Sequence, residues 1–228
     1  MTRSLEISLD QFYHIYDRGV DKRKVFMDEG DYERFVKLLY TANSDTSVHL
    51  SNYQGQTLIN IPKGKPIVSI GAWCLMPNHF HLLVKEISPD GLSLFMQKLL
   101  TGYSMYFNTK YYGRGALFEG RFKAKHLDYD QYLKYQYTYI HLNPIGIIDS
   151  GWKKKEINNK IKAKKFLEEY KYSSYKDYTR EGREEECILN KESFPEYFST
   201  VDDFETMIEE WVNFDSEEIS RSDLDNNI

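Results

Sequence analysis

Residues 67–75, Ile67-Val68-Ser69-Ile70-Gly71-Ala72-Trp73-Cys74-Leu75, make a nearly continuous apolar run, after which the chain turns at Met76-Pro77-Asn78 and returns as His79-Phe80-His81-Leu82-Leu83-Val84. A short apolar run bounded by a turn reads as a buried strand, and so short a connection leaves an antiparallel hairpin as its partner. The hairpin places two histidines at its mouth. In a strand, side chains two apart point to the same face, so the imidazoles of His79 and His81 project together and could close on one cation. Two unrelated histidines on one face would give the same pattern.

The flanking segments extend this hairpin into a sheet. Residues 11–17 alternate aromatic or aliphatic with polar side chains and end at Arg18-Gly19, which predicts a strand leaving through a glycine turn. Phe35, Leu38 and Leu39 fall on one stripe of a helix over residues 31–40, with Asp28 or Asp31 available as a cap. Residues 48–65 carry Gly55, Pro62 and Gly64 and read as a hairpin or irregular excursion. Leu94, Met96, Leu99, Leu100, Tyr103, Tyr106 and Phe107 give helical spacing over 92–112, stopped by Gly113 and Gly115. Residues 117–127 are strand-like, and 131–142 are helical up to Asn143-Pro144, where proline disfavours helix at the residue before it.

The predicted order is β-α-β-β-α-β-α. That order specifies an α+β, ferredoxin-like sandwich, an antiparallel sheet with helices on one face, plus a helix after the last core strand and a C-terminal helical extension. The predicted divisions are a domain over 1–150, a basic connector over 151–180, and an acidic extension over 181–228. In that extension Val201, Phe204, Ile208, Trp211 and Val212 share one apolar helical face, which predicts a small docked helix, and residues 215–228 are expected to be disordered. No apolar stretch follows a basic segment near residue 1, and the longest nearly apolar run, 67–77, is too short to cross a bilayer. A cytoplasmic protein without membrane contact is therefore expected, with Cys74 and Cys187 as reduced thiols and Cys74 in the core.

The net charge of −5 argues against a nucleic-acid partner until its distribution is considered. Residues 1–150 carry 17 basic against 15 acidic side chains, 151–180 carry 10 against 4, and 181–228 carry 3 against 16. The acidity is confined to the end of the chain. Arg121, Lys123 and Lys125 alternate along the predicted last strand and would share one sheet face, as candidate phosphate contacts or as a solvated edge. Arg18, Lys22, Arg23 and Lys24 form a second candidate patch. Lysines 153–155 and 160–165 could follow a nucleic-acid backbone or simply face solvent.

Tyr139 and Asn143, four apart on the helix after the last strand, face the same side. With 19 tyrosines in the chain, and Tyr132 and Tyr135 on the same stripe, spacing alone does not choose among them. Four stretches in order carry a resemblance: Tyr13-His14-Ile15-Tyr16-Asp17-Arg18-Gly19, Met76-Pro77-Asn78-His79-Phe80-His81-Leu82-Leu83, Leu117-Phe118-Glu119-Gly120-Arg121-Phe122-Lys123 and Tyr139-Ile140-His141-Leu142-Asn143-Pro144. Together they resemble the insertion-sequence-200-like, single-tyrosine HUH transposases, and most of all the REP-associated tyrosine transposases. The resemblance covers roughly residues 11–178 and includes Tyr172-Ser173-Ser174-Tyr175.

This resemblance implies that His79 and His81 are metal ligands, Asn143 a third ligand, and Tyr139 the nucleophile. It also implies that the helix over 131–142 is the catalytic helix, that Mg²⁺ or Mn²⁺ is the cofactor, and that single-stranded DNA with hairpin structure is the partner. The reaction implied is cleavage and rejoining through a 5′-phosphotyrosine link. A phenolate leaves phosphorus more readily than an alkoxide, so such a link is reversible without ATP. Two alternatives use the same fold: a catalytically inactive, sequence-specific DNA-binding protein, and a metal-dependent phosphodiesterase that uses water. A monomer is expected over a homodimer, and the acidic extension is expected to regulate, shield or occupy the basic face, so that deleting residues 181–228 would strengthen single-strand binding.

Overall fold

The computed structural model describes residues 6–154, 156–180, 182–198 and 200–213. Lys155 and the segment 215–228, to which a lysine cluster and a disordered tail were assigned, lie outside them. The sheet has strands β1 (Phe12–Arg18), β2 (Val68–Met76), β3 (His79–Glu86) and β4 (Lys123–His126) in the order β2-β3-β1-β4. Every pairing is antiparallel, which is the ferredoxin-like arrangement predicted from the element order. Helix α1 (Glu29–Ala42) joins β1 to β2, and α2 (Gly91–Lys110) joins β3 to β4. The α1 start is a reciprocal cap in which the Asp28 carboxylate accepts from the Asp31 N–H and the Asp31 carboxylate from the Asp28 N–H.

One face of the sheet packs on these two helices. Tyr13, Ile15, Phe80, Leu82 and Val84 meet Phe35, Leu39, Phe95, Met96, Leu99 and Tyr103 there. Regular alternation from Val68 and Ile70 would place Ala72, Cys74 and Met76 on that same face. A bulge between Ile70 and Ala72 reverses the phase. Trp73 and Leu75 enter the α1/α2 core instead, and Ala72, Cys74 and Met76 face the other way. Gly71 sits at the bulge, where a Cβ would lie 2.7 Å from both a Phe194 ring carbon and the Tyr137 hydroxyl.

The second face is covered by α3 (Asp130–Leu142), α4 (Lys160–Glu169), α5 (Tyr175–Thr179) and α6 (Val201–Asn213). Leu133, Tyr137, Ile140, Trp152, Leu167, Phe194, Phe204 and Ile208 form a second apolar cluster against Cys74 and Leu83. The free edge of β2 is closed by later chain. The Leu75 N–H donates to the Tyr172 carbonyl, the Ser174 N–H to that of Trp73 and the Asn190 N–H to that of Ile70. Pairing an exposed strand edge in this way removes a site for unwanted association. Among the described residues no helix is long and apolar enough to cross a membrane.

One expectation narrows and two are resolved. The strand predicted over 117–127 is continuous only at Lys123–His126; Phe118 makes an isolated antiparallel bridge to Gly19, with Leu117 and Phe118 in the α1/α2 core, before Gly120 turns the chain at φ 72°. Residues 48–65 form no hairpin but an excursion with 3-10 turns at Leu50–Tyr53 and Leu58–Asn60, whose Leu50, Leu58 and Ile61 are buried. The acidic extension is built into the molecule: Ile188, Phe194, Phe204, Met207 and Ile208 are core residues. Deleting 181–228 would therefore open both cores rather than simply remove charge. Glu205 and Glu209 of α6 pair with Lys164 of α4, at 3.7 and 2.6 Å.

Asp17 is the one carboxylate carried into the sheet by β1. It is buried, its Oδ1 accepts the Arg18 N–H at 2.9 Å, and its Oδ2 has no hydrogen-bond partner. Burial pushes its pKa from 3.8 up to about 7, against the opposing Arg18 N–H and the Lys123 charge. The folded state thus holds this proton more tightly than the unfolded chain. Asp17 therefore favours folding at acid pH, and that contribution is lost as pH rises from 3.8 through about 7. Asp17→Asn, uncharged throughout, should gain Tm over wild type more at pH 8 than at pH 5; an equal difference at both values would refute the assignment.

Candidate functional site

The register between β1 and β3 sets the site. It places Tyr16 opposite His81, Arg18 opposite His79 and His14 opposite Leu83. Since Phe80 and Leu82 face α1 and α2, their neighbours His79 and His81 face α3, as do His14 and Tyr16 of β1. The His79 and His81 rings lie 4.9 Å apart at 89°, and the His14 and His81 rings 5.0 Å apart at 23°. Nε2 of His14 and Nδ1 of His81 are 2.9 Å apart, and Nδ1 of His79 is 2.6 Å from Oδ1 of Asn78 in the turn.

Helix α3 brings Tyr139 onto this group, its ring centre 5.5 Å from that of His81 and 6.0 Å from that of His14. Asn143 follows one turn later at the helix end. Its Nδ2 donates to the Tyr139 carbonyl at 2.9 Å, which fixes the amide and leaves Oδ1 for other contacts. The position of α3 is in turn held from β2. Nε2 of His141 lies 2.7 Å from Oγ of Ser174, which also accepts the Trp73 N–H at 2.9 Å and donates to the Trp73 carbonyl at 3.2 Å.

Burial dominates the electrostatics. It pushes His79 down to about 4, with Arg18 and Lys153 adding to the shift and the Asn143 amide opposing it. It pushes His14 down to about 3, helped by Lys125 and Lys153, and His81 well below its usual value. All three imidazoles are thus neutral at pH 7. The Tyr139 phenol is raised above its usual range by burial; the Asn143 amide counteracts part of this without meeting hydrogen-bond geometry at the hydroxyl. Tyr139 is 7% exposed, between Trp152 at 5.5 Å and Tyr135 at 6.1 Å between ring centres.

This donor set fits a divalent cation. The Nδ1 atoms of His79 and His81 are both occupied, while Nε2 of His81 is buried with no hydrogen-bond partner. Two neutral imidazole nitrogens and an amide oxygen would leave positions on the ion open to a phosphate, and such a set accepts Mn²⁺ or Mg²⁺ as well as Zn²⁺ or Ni²⁺. Among the described residues no group of three or more His, Cys, Asp or Glu is arranged to hold a metal.

The other candidates divide by position. Lys123 pairs across from Tyr16 and Lys125 across from His14, so both share the histidine face. Arg121 is exposed but precedes β4, outside the alternation that was to align it with them. Arg18, half-buried at the end of β1, reaches the site electrostatically. Arg23 donates to the Ala116 carbonyl at 2.6 Å and braces a loop. Of the three tyrosines on the α3 stripe, Tyr139 meets the histidines, Tyr135 stacks on it, and Tyr132 lies under Lys125 at 5.8 Å. Sequence reasoning missed His14, Tyr16 and Trp152 as members of the site. Their parity on β1 was readable, but the β1–β3 adjacency was not. Lys153, considered only as part of a lysine run, has its Nζ 5.6 Å from the Tyr139 ring centre.

The family model described as "Transposase IS200 like" matches residues 9–143. Among solved structures, a REP-associated tyrosine transposase bound to a REP hairpin is similar to this chain with a TM-score of 0.50 and 10% identity, over 78% of this chain and 84% of that one. At that identity the likeness is one of fold. No curated protein gives a significant match.

Ser174→Ala would strip partners from both His141 and the Trp73 N–H. A loss of about 1–3 kcal/mol in urea unfolding is expected for such buried groups; a change within error would show that α3 is held by apolar packing alone.

Proposed function

This chain belongs to the IS200-like transposase family, and we propose that it cleaves and rejoins single-stranded, hairpin-associated DNA through a 5′-phosphotyrosine intermediate with Tyr139 as nucleophile. The observation that carries the reading is the placement of Tyr139 over two histidines, one with an unpartnered buried Nε2, beside Asn143. The hairpin substrate rests on what the similar REP-associated transposase binds.

His79, His81 and Asn143 would hold Mg²⁺ or Mn²⁺. When bound, the cation supplies Lewis-acid stabilisation of charge on the scissile phosphate. Tyr139 Oη forms a bond to phosphorus as the bond from phosphorus to the 3′-oxygen breaks; the phenol loses its proton and the departing 3′-oxygen gains one. Rejoining reverses these changes, so the energy of the phosphodiester is kept in the link. Lys153, whose Nζ lies 5.6 Å from the Tyr139 ring centre, and Arg18 favour an incoming phosphate, and the Asn143 amide favours the forming phenolate that burial disfavours. The Tyr139 hydroxyl has almost no exposed surface, so a strand reaches it only after Trp152 or α3 shifts. Lys123 and Lys125 on the open edge of the sheet suit the approaching backbone.

Wild-type protein incubated with a labelled single-stranded hairpin library and Mn²⁺ or Mg²⁺ should give a covalent protein–DNA band on a denaturing gel. Tyr139→Phe should abolish the band. Cleavage without an adduct, unchanged in Tyr139→Phe, would mean that water is the nucleophile. Binding without cleavage across the library would favour a DNA-binding protein. Lys153→Met is expected to retain the adduct but form it at least tenfold more slowly; an unchanged rate would remove Lys153 from the chemistry.

A further inference from the structure

A neutral histidine that holds a metal through Nε2 carries its proton on Nδ1, and a partner that accepts that proton fixes the tautomer and the ring orientation. For His79 the acceptor is local, the Asn78 Oδ1 in the hairpin turn. For His81 it comes from another strand. We propose that His14 is a positioning residue whose Nε2 accepts the Nδ1–H of His81, fixing His81 in the tautomer and ring orientation that presents Nε2 to a divalent cation. This rests on the reading of His79, His81 and Asn143 as a metal site.

The geometry supports one direction for this bond. His14 and His81 are diagonal neighbours on one face of the β1–β3 pair, their rings near-parallel at 23°, with 2.9 Å between Nε2 of His14 and Nδ1 of His81. Both side chains are buried, so water does not replace the partner. If His14 were the donor, His81 would carry its proton on Nε2, where it has no hydrogen-bond partner. A buried N–H without an acceptor is rarer and costlier than an unused lone pair. The opposite assignment leaves a bare lone pair at Nε2 of His81, directed to the side of the sheet from which Tyr139 approaches.

The register makes the arrangement specific. His14 is paired with Leu83 and His81 with Tyr16, so a slip of one residue between β1 and β3 would send His14 to the α1/α2 face. Ring packing from Tyr16 at 5.0 Å and Tyr139 at 6.0 Å confines His14 itself.

The test uses the metal-free protein and three variants, His14→Phe, His14→Gln and His81→Ala. His14→Phe keeps a ring but has no acceptor, and His14→Gln restores an acceptor oxygen. Long-range ¹H–¹⁵N correlation spectra report the His81 tautomer directly, and Mn²⁺ titration followed by electron paramagnetic resonance reports affinity. Wild type should show His81 protonated on Nδ1. His14→Phe should shift it toward the Nε2–H form and weaken Mn²⁺ binding by about 10–100-fold, as loss of a ligand's orienting partner does elsewhere. His14→Gln should recover most of both. An Nε2–H tautomer in wild type, or an unaltered tautomer in folded His14→Phe, would overturn the role of His14. Mn²⁺ affinity unchanged by His81→Ala would instead overturn the metal-site reading while leaving the tautomer result to judge the His14–His81 bond. Near-ultraviolet circular dichroism identifies any variant that fails to fold.

Discussion

The antiparallel register of β1 against β3 is the constraint on which the rest depends. It sets Tyr16 beside His81 and Arg18 beside His79, and through the two-residue period of a strand it sends Phe80 and Leu82 into one core while His79 and His81 enter the other. A slip by one residue would put imidazoles among Phe35, Phe95 and Leu99 and phenylalanine beneath Tyr139. The register is therefore guarded by the apolar cost of exchanging the two faces, and the core and the site are two readings of the same alternation.

Closure of the histidine face determines the chemistry available there. The segment after β4 does more than carry Tyr139 on α3. It continues through Trp152, closes the β2 edge with Ser173 and Ser174, and seals the second core with Phe194, Phe204 and Ile208. Burial keeps the histidines neutral with usable lone pairs and keeps the phenol protonated. Under the proposed reading, a phenol held protonated in this way would become a nucleophile only once a cation and a phosphate had entered the site.

Much of this was legible because the strongest signals were local. The 67–84 hairpin, the Asp28 cap, the stripe of α2 and the stop at Asn143-Pro144 each follow from neighbours in sequence, and the element order then selects one sheet topology. Local signals failed where tertiary contacts decide. Leu117 and Phe118 fit a strand but serve as core side chains, and Gly71 looks like a gap in an apolar run but is the bulge that sets which face Trp73 takes. In the acidic segment beyond 180 charge dominates the composition, and the apolar anchors Ile188, Phe194, Phe204, Met207 and Ile208 are too sparse for a local pattern to show where they insert. His14 and Tyr16 had visible parity, but only strand adjacency makes parity a site. Tyr139 stood out from Tyr132 and Tyr135 only by resemblance until the histidines were placed near it.

The net charge of −5 illustrates the same division between composition and place. Part of what separates acidic from basic segments in sequence is rejoined in space: Lys164 of α4 is held by Glu205 and Glu209 of α6, and Arg183 by Asp177, while Lys191 and Glu186 pair within the acidic segment itself. These pairs are largely at the surface and add little stability. Their effect is to consume opposing charge away from the sheet. What acts on the histidines is then Arg18, Lys125 and Lys153, each of which pushes one or more of their pKa values down. Burial is the larger cause of those shifts, and the three cations add a positive field on the same face. A phosphodiester entering that space meets the field that the imidazoles feel, and this local field, rather than the sign of the whole chain, governs its approach.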